Sequence, residues 1–300
     1  MKKSRIYLLI RAGWYLAGFI LFYAPFAFFQ KLLISVFNVS GNKDVHGSCF
    51  RMVVQKLFTG GGIEIKTTSA IIVLLVLISA LLLGPIFCGK FCISGAISEY
   101  VSRIVPNKIK INWSKYIDQT PVRYGILAGF LIAPFMKLSV MCAYCNYSIL
   151  QTLIQGGISW NLKALGSTTI LTGFIWLIVL GAFTKGGRGY CSYLCPIGAV
   201  QSLIHSIGAR LPFTFKLKYS ADKCVSCNLC VKDCPMNALK NSGNGLQYNI
   251  HSCITCQQCK HVCPKNAITY GYGKSNWNLN NENDIRIIGK FAKEGKNETI

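Results

Sequence analysis

The 300-residue sequence predicts an α-helical membrane protein, with four transmembrane helices arranged as a tandem two-helix repeat, followed by a small cysteine-rich α+β domain. Composition, apolar runs and cysteine placement predict it. Hydrophobic residues make up 52% of the chain and charged residues 14%, with a mean hydropathy of +0.39, which is too apolar for an ordinary soluble domain. Four runs are long enough to be buried in a bilayer. The 15 cysteines fall either beside those runs or in a polar segment near the C-terminus.

Crossing the hydrocarbon core takes about 20 mostly apolar residues, and segments 14–37, 69–87, 124–141 and 168–183 qualify. The first follows MKKSR, which resembles the charged start of a secretory signal. Its apolar run continues through aromatic residues to Phe37, so it reads as an uncleaved anchor. Orientation comes from Lys and Arg near the span ends. Lys2, Lys3, Arg5 and Arg11, then Lys90, Arg103, Lys108, Lys110, Lys115 and Arg123, then Lys185 and Arg188 place three regions on the cytoplasmic side. The connections over 38–68 and after Cys142 face outward, leaving both termini cytoplasmic. The formal charge of +22 follows from this topology and from attraction to anionic lipid, without a nucleic-acid partner.

After Leu217 the apolar runs stop, and KCVSCNLCVKDCPMNAL is followed by HSCITCQQCKHVCPKNAI. Each copy reads C-x2-C-x2-C-x3-C-P, the bacterial two-cluster ferredoxin pattern, in which the fourth cysteine ligates the other cluster. One [4Fe-4S] cluster is therefore expected on Cys224, Cys227, Cys230 and Cys263, and a second on Cys253, Cys256, Cys259 and Cys234. Zinc would need a tetrahedral site, usually built from separated C-x2-C pairs. A disulfide framework does not suit a cytoplasmic domain. The expected α+β domain spans 217–271, and the polar segment 272–300 reads as a disordered tail.

The remaining cysteines align the membrane part, 1–210, on itself. CGKFCISGAI from Cys88 matches CSYLCPIGAV from Cys191, CFRMVVQKLFTGG from Cys49 matches CNYSILQTLIQGG from Cys145, and RAGWYLAGFILFYAPF pairs with RYGILAGFLIAPF. The repeats cover about 11–105 and 121–210. Both have the same orientation, and parallel repeats of this kind are related by an axis along the membrane normal. Taken as i and i+4 on one helix face, Cys88 and Cys92 present two sulfurs, and Cys191 and Cys195 two more across the axis. Soft thiolates favour an iron-sulfur cluster or zinc at this inner face, and a further Fe-S cluster is the expectation. The alternative is four separate buried cysteines.

On the outer side His46-Gly-Ser-Cys49 falls opposite Cys142-Ala-Tyr-Cys145, so His46, Cys49, Cys142 and Cys145 form a candidate outer-face cluster or metal site. A Cys142 to Cys145 disulfide is the competing reading.

Taken together, these motifs resemble the membrane polyferredoxins of the NapH and NosR type, related to the assembly protein CcoG. The resemblance implies a bacterial or archaeal cytoplasmic-membrane electron-transfer subunit of an oxidoreductase, quinol dehydrogenase-like. It would relay electrons through Fe-S centres between a quinone pool or cytoplasmic ferredoxin and another oxidoreductase subunit. The CcoG relationship implies an alternative, a maturation factor reducing a metal or disulfide during assembly of another enzyme. Neither G-x-x-x-x-G-K-[ST] nor a strand-linked G-x-G-x-x-G occurs, so a nucleotide cofactor would have to come from a partner.

Overall fold

The computed structural model describes residues 2–58, 66–133, 144–159, 166–241 and 245–277. Helix α1, Lys2–Phe22, opens the chain. It stops before Pro25, which has no N–H to donate and disfavours helical backbone at Ala24. Ala27 then takes a left-handed φ of 43° and α2, Phe28–Phe37, leaves in a new direction. The predicted span over 14–37 is therefore two helices, and the first begins a dozen residues earlier than expected.

Helix α3 is Phe50–Phe58, and α4 is Thr68–Leu83. The Thr67 hydroxyl caps α4 by accepting from the Ala70 N–H at 3.4 Å, and Gly84 ends it with a φ of 75°. A widened turn over Phe87–Phe91 leads into α5, Ile93–Ile104. The second repeat runs through α6, Gln119–Ile132, then α7, Asn146–Ser159, and α8, Ser167–Phe174, which passes into a wide π-type stretch over Ile175–Ala182. A short α9, Gly189–Tyr193, precedes α10, Pro196–Gly208, which starts on the proline favoured in a first helical turn. Tyr23 joins Ile149, Leu150, Trp176 and Tyr190 in the core that locks the repeats together.

Among the described residues one helix, Lys3–Phe22, is long and apolar enough to cross a bilayer. Phe28–Phe37, Thr68–Leu83 and Thr168–Ala182 are shorter apolar helices. Of the segment 124–141, residues 134–141 lie outside the described residues. Three basic residues that entered the orientation count, Arg11, Arg123 and Arg188, are in fact 0%, 2% and 1% exposed, so they serve the interior rather than a membrane face.

The C-terminal domain has two antiparallel strand pairs. Strand β1, Phe215–Tyr219, pairs with β4, Ile268–Tyr272, and Leu217 sits opposite Tyr270; β2, Leu239–Asn241, pairs with β3, Leu246–Tyr248. One short helix follows each cysteine loop, α11 over Leu229–Lys232 and α12 over Gln258–Val262. Left-handed backbone recurs at matched positions: Ser226, Asn228 and Asn237 in the first copy, and Thr255, Gln257 and Asn266 in the second. The expected boundary at 271 is too early, because Trp277 is buried with Leu217 and Ile268 and donates its indole N–H to the Leu217 carbonyl at 3.0 Å. Residues 278–300 lie outside the described residues.

The domain is seated on both repeats. The Tyr7 hydroxyl donates to the Cys256 carbonyl at 2.8 Å, and its ring stacks on His261 at 3.6 Å. Tyr270 donates to the Leu83 carbonyl at 2.8 Å, and Arg123 donates to the carbonyl of His251.

Candidate iron-sulfur centres

The two cysteine copies exchange their fourth members. One pocket is lined by Cys224, Cys227, Cys230 and Cys263, and another by Cys253, Cys256, Cys259 and Cys234. Backbone N–H groups point at the sulfurs: Ala238 donates to Cys234 at 3.4 Å, Ala267 to Cys263 at 3.3 Å, and Thr255 to Cys253 at 3.3 Å. Burial pushes the Cys230 thiol up to about 11, and the neighbouring Cys263, Cys227 and Cys224 add to it. Burial does the same to Cys234, up to about 12, and the neighbouring Cys256 adds to it. Metal binding must overcome these shifts and release the protons.

The inner quartet is assembled differently from the sequence-based expectation. Cys88 and Cys92 do not share one continuous helix face. Cys92 has extended backbone, φ −75° and ψ 99°, and its N–H reaches back five residues to the Phe87 carbonyl at 2.9 Å. Cys195 copies it, with φ −77° and ψ 110°, and its N–H bonds to the Tyr190 carbonyl at 3.2 Å. In each repeat the first cysteine lies in a short helical turn, Cys88 in the widened turn and Cys191 in α9, and the second at the N-cap of the following helix. All four still line one cavity of about 630 Å³. Burial raises the Cys88 thiol well above its ordinary value, and Cys92, Cys195 and Cys191 reinforce the shift.

Two buried arginines flank this quartet. A Cβ on Gly95 would stand 2.8 Å from the Arg188 Nη1 and 3.3 Å from the Cys191 Sγ, and one on Gly198 would stand 2.6 Å from the Arg123 Nη2. The two glycines occupy the same place in C-x2-G-A of each repeat, so each leaves room for a guanidinium beside the sulfurs. Among the described residues Arg123 Nε and Nη2 have no hydrogen-bond partner, while Gln201 donates to the Cys88 Sγ at 3.3 Å. Arg188 is held by Glu99 through Nε at 2.7 Å and donates to the Cys88 carbonyl at 2.8 Å. Arg11 bonds both Glu99 oxygens at 3.0 Å, and Tyr15 accepts from both Arg11 and Arg188 at 2.6 Å. Burial alone would raise the Glu99 carboxyl, but Arg11, Arg188 and Arg103 hold it down at about 2.

Sequence reasoning missed Glu99, Arg188, Arg123 and Gln201. The available signal was Glu99 itself, a lone acid between Glu64 and Asp118 in a basic stretch.

Of the outer set, His46, Cys49 and Cys145 line the same cavity as the inner quartet, and Cys142 lies outside the described residues. Asp44 fixes the turn before Cys49 by accepting from the His46 N–H at 2.9 Å. Burial pushes Cys145 up to about 12, and Cys49 adds to it.

The donor sets suit iron-sulfur clusters, with soft thiolates in fours, backbone donors to sulfur, and buried cations facing the inner quartet. A tetrahedral zinc needs its ligands about 2.3 Å from one point. Among the described residues no three His, Cys, Asp or Glu converge closely enough to share a single ion.

The fold and its cysteine sets define a ferredoxin-type iron-sulfur protein. A family model for a 4Fe-4S binding domain matches residues 66–112 and again 168–214, one match on each C-x3-C copy, and a 4Fe-4S dicluster domain matches 216–280. The chain is 22% identical to YccM of Escherichia coli over 184 residues, covering 60% of this chain and 49% of YccM. It is 26% identical to MauN of Methylorubrum extorquens, a methylamine utilization ferredoxin-type protein, over 203 residues, covering 65% and 64%. The ferredoxin-type protein NapH of Haemophilus influenzae matches at 26% over 167 residues, covering 54% and 51%. These matches support a NapH-type polyferredoxin. The chain spans about half the length of YccM and of NapH. No solved structure matches.

Proposed function

We propose that the chain is a membrane-bound relay that passes single electrons between a quinone pool or cytoplasmic ferredoxin and a partner oxidoreductase subunit. Iron-sulfur clusters, when bound, supply one-electron chemistry that side chains lack. The ligand sets are Cys224, Cys227, Cys230 and Cys263; Cys253, Cys256, Cys259 and Cys234; and, at the inner membrane face, Cys88, Cys92, Cys191 and Cys195. His46, Cys49 and Cys145, with Cys142, are the proposed ligands of an outer centre. The observation that carries the reading is the packing of Cys88, Cys191 and Cys256 in one buried cluster with Met236 and Ile254. It brings the dicluster domain against the inner quartet.

The four spans, with both termini cytoplasmic, remain part of this reading. Exposed apolar side chains on four helices support it: Leu9 and Leu16 on α1, Phe37 on α2, Leu74 on α4, and Ile170 on α8. The apolar side of the 630 Å³ cavity, lined by Ile72, Val76, Ile126 and Phe130, offers room for a lipid-soluble redox partner beside the quartet.

Iron and sulfide counting with EPR on anaerobically purified full-length protein tests the reading. Cys88→Ser and Cys191→Ser should abolish the same signal, since they belong to one ligand set. Unchanged iron content and spectra in both variants would remove the inner centre from the proposal.

A further inference from the structure

The dicluster domain repeats itself, and its two matched faces have opposite fates. On the second copy, Ile254 and Gln258 are 3% and 0% exposed, and Cys256 is buried with them. That face is the one pressed on the helices: the Ile254 carbonyl and the Cys256 backbone lie against Gly89, between Cys88 and Cys92. The matched residues of the first copy are Val225, Leu229 and Cys227. Val225 is 57% exposed, Leu229 is 40% exposed, and Cys227 is exposed as well. The face that meets the inner quartet in one copy is open and apolar in the other.

The charge around the open face also differs. Lys223 stands where the second copy has Ser252, Lys232 where it has His261, and Lys265 where the first copy has the buried Met236. All three lysines are exposed, and Lys223 and Lys265 line the pocket of Cys224, Cys227, Cys230 and Cys263. Of the nearby acids, Asp233 is occupied by Arg103 at 3.0 Å, and Asp222 stands beside Lys223 in the chain. The result is a small apolar centre, Val225, Leu229 and the exposed Pro264, within a basic rim. Protein interfaces for steered, short-lived encounters are built this way.

We propose that this face docks an acidic, soluble one-electron carrier protein, making it the exchange point of the relay with the aqueous phase. The inference rests on the relay reading above and adds the partner's chemistry and its landing place. In the reducing direction one electron leaves the carrier and enters the domain at the Cys227 edge. The carrier is oxidised by one, the domain is reduced by one, no bond forms and no proton is transferred.

Stopped-flow reduction of the anaerobic full-length protein by reduced flavodoxin, an acidic carrier used as the probe, tests it. The second-order rate should fall about tenfold or more from low to high salt. Lys223→Glu, Lys232→Glu and Lys265→Glu combined should slow it about tenfold or more at low salt and flatten its salt dependence. Val225→Ser with Leu229→Ser should slow it at every salt concentration. The same number of reversals at Lys31, Lys43 and Lys66, on the far side of the helices, should leave it unchanged. If a reversed variant loses iron, Lys→Gln at the same positions replaces it. Equal rates for the wild type and the three-lysine variant overturn the proposal, as does equal slowing by the distant reversals. Weaker binding of the variant to phosphatidylglycerol vesicles with an unchanged flavodoxin rate assigns the lysines to lipid and also overturns it. Iron content and reduction by dithionite separate the two levels: when both are normal and only the flavodoxin rates fail to discriminate, the docking face falls and the relay stands.

Discussion

Gly89 meets Ile254 backbone to backbone, so closely that a Cβ on Gly89 would lie 2.3 Å from the Ile254 carbonyl oxygen. A methyl group there cannot be absorbed by a flexible side chain, because its neighbours are main-chain atoms. Gly89→Ala should push the dicluster domain away from the inner quartet at a cost of about 1–3 kcal/mol. The expected outcome is full iron content, a lower melting temperature, and slower passage of electrons from the domain to the inner centre in freeze-quench EPR. Unchanged transfer would mean that the contact does not set the route.

Glu99 gathers Arg11, Arg103 and Arg188. Removing its charge leaves two fully buried guanidinium groups uncompensated, so Glu99→Gln should destabilise the protein by roughly 3–5 kcal/mol. The pH dependence follows from the carboxyl being held at about 2 when folded against about 4.3 when unfolded. A depressed folded value contributes stability that is complete above the unfolded value and is lost as pH falls through the folded one. Melting temperatures of wild type and variant should therefore differ most above about pH 5 and converge toward pH 2. A constant gap across that range would show that the charge is not what matters.

The grouping of the C-terminal cysteines into two pockets was legible because the first three of each copy are close in the chain and the doubled pattern marks the fourth as crossing to the other copy. The inner quartet was legible only through the repeat, which pairs Cys88 with Cys191 although the chain between them exceeds a hundred residues. Its local form was not legible. Residues four apart read as one helix face, and the five-residue reach from Cys92 to Phe87 depends on how the turn packs beneath the domain. The arginines were misread for a physical reason: hydropathy counts a basic residue as a membrane-edge signal, whereas Glu99 and Tyr15 allow Arg11 and Arg188 to be fully buried. The break at Pro25 carried its own signal, which the apolar run around it masked.

The exchange of fourth cysteines makes a paired forecast. Cys263 lines the pocket of Cys224, Cys227 and Cys230, and Cys234 lines that of Cys253, Cys256 and Cys259. Cys263→Ser and Cys224→Ser should perturb the same EPR signal, and Cys234→Ser and Cys253→Ser the other. Signals that group by sequence copy instead would mean that each copy holds its own cluster.

Arg123 offers a test of how the interior tunes the inner centre. It is 2% exposed and lines the cavity with Cys88, Cys92, Cys191 and Cys195. Nη1 is committed to the His251 carbonyl, while Nε and Nη2 have no partner among the described residues. A cation beside four thiolates in a low-dielectric cavity favours whichever redox state carries more negative charge, which is the reduced one. Arg123→Gln should lower the inner centre's potential by about 60 mV or more, a tenfold change for a one-electron couple. Arg123→Lys keeps the charge but loses the planar fork that spans His251 and the cavity, so it should shift the potential less. Redox titration followed by EPR reads both variants, with the dicluster signals as internal controls. An unchanged potential in Arg123→Gln, or an equal shift in both variants, would reduce Arg123 to a clamp on His251.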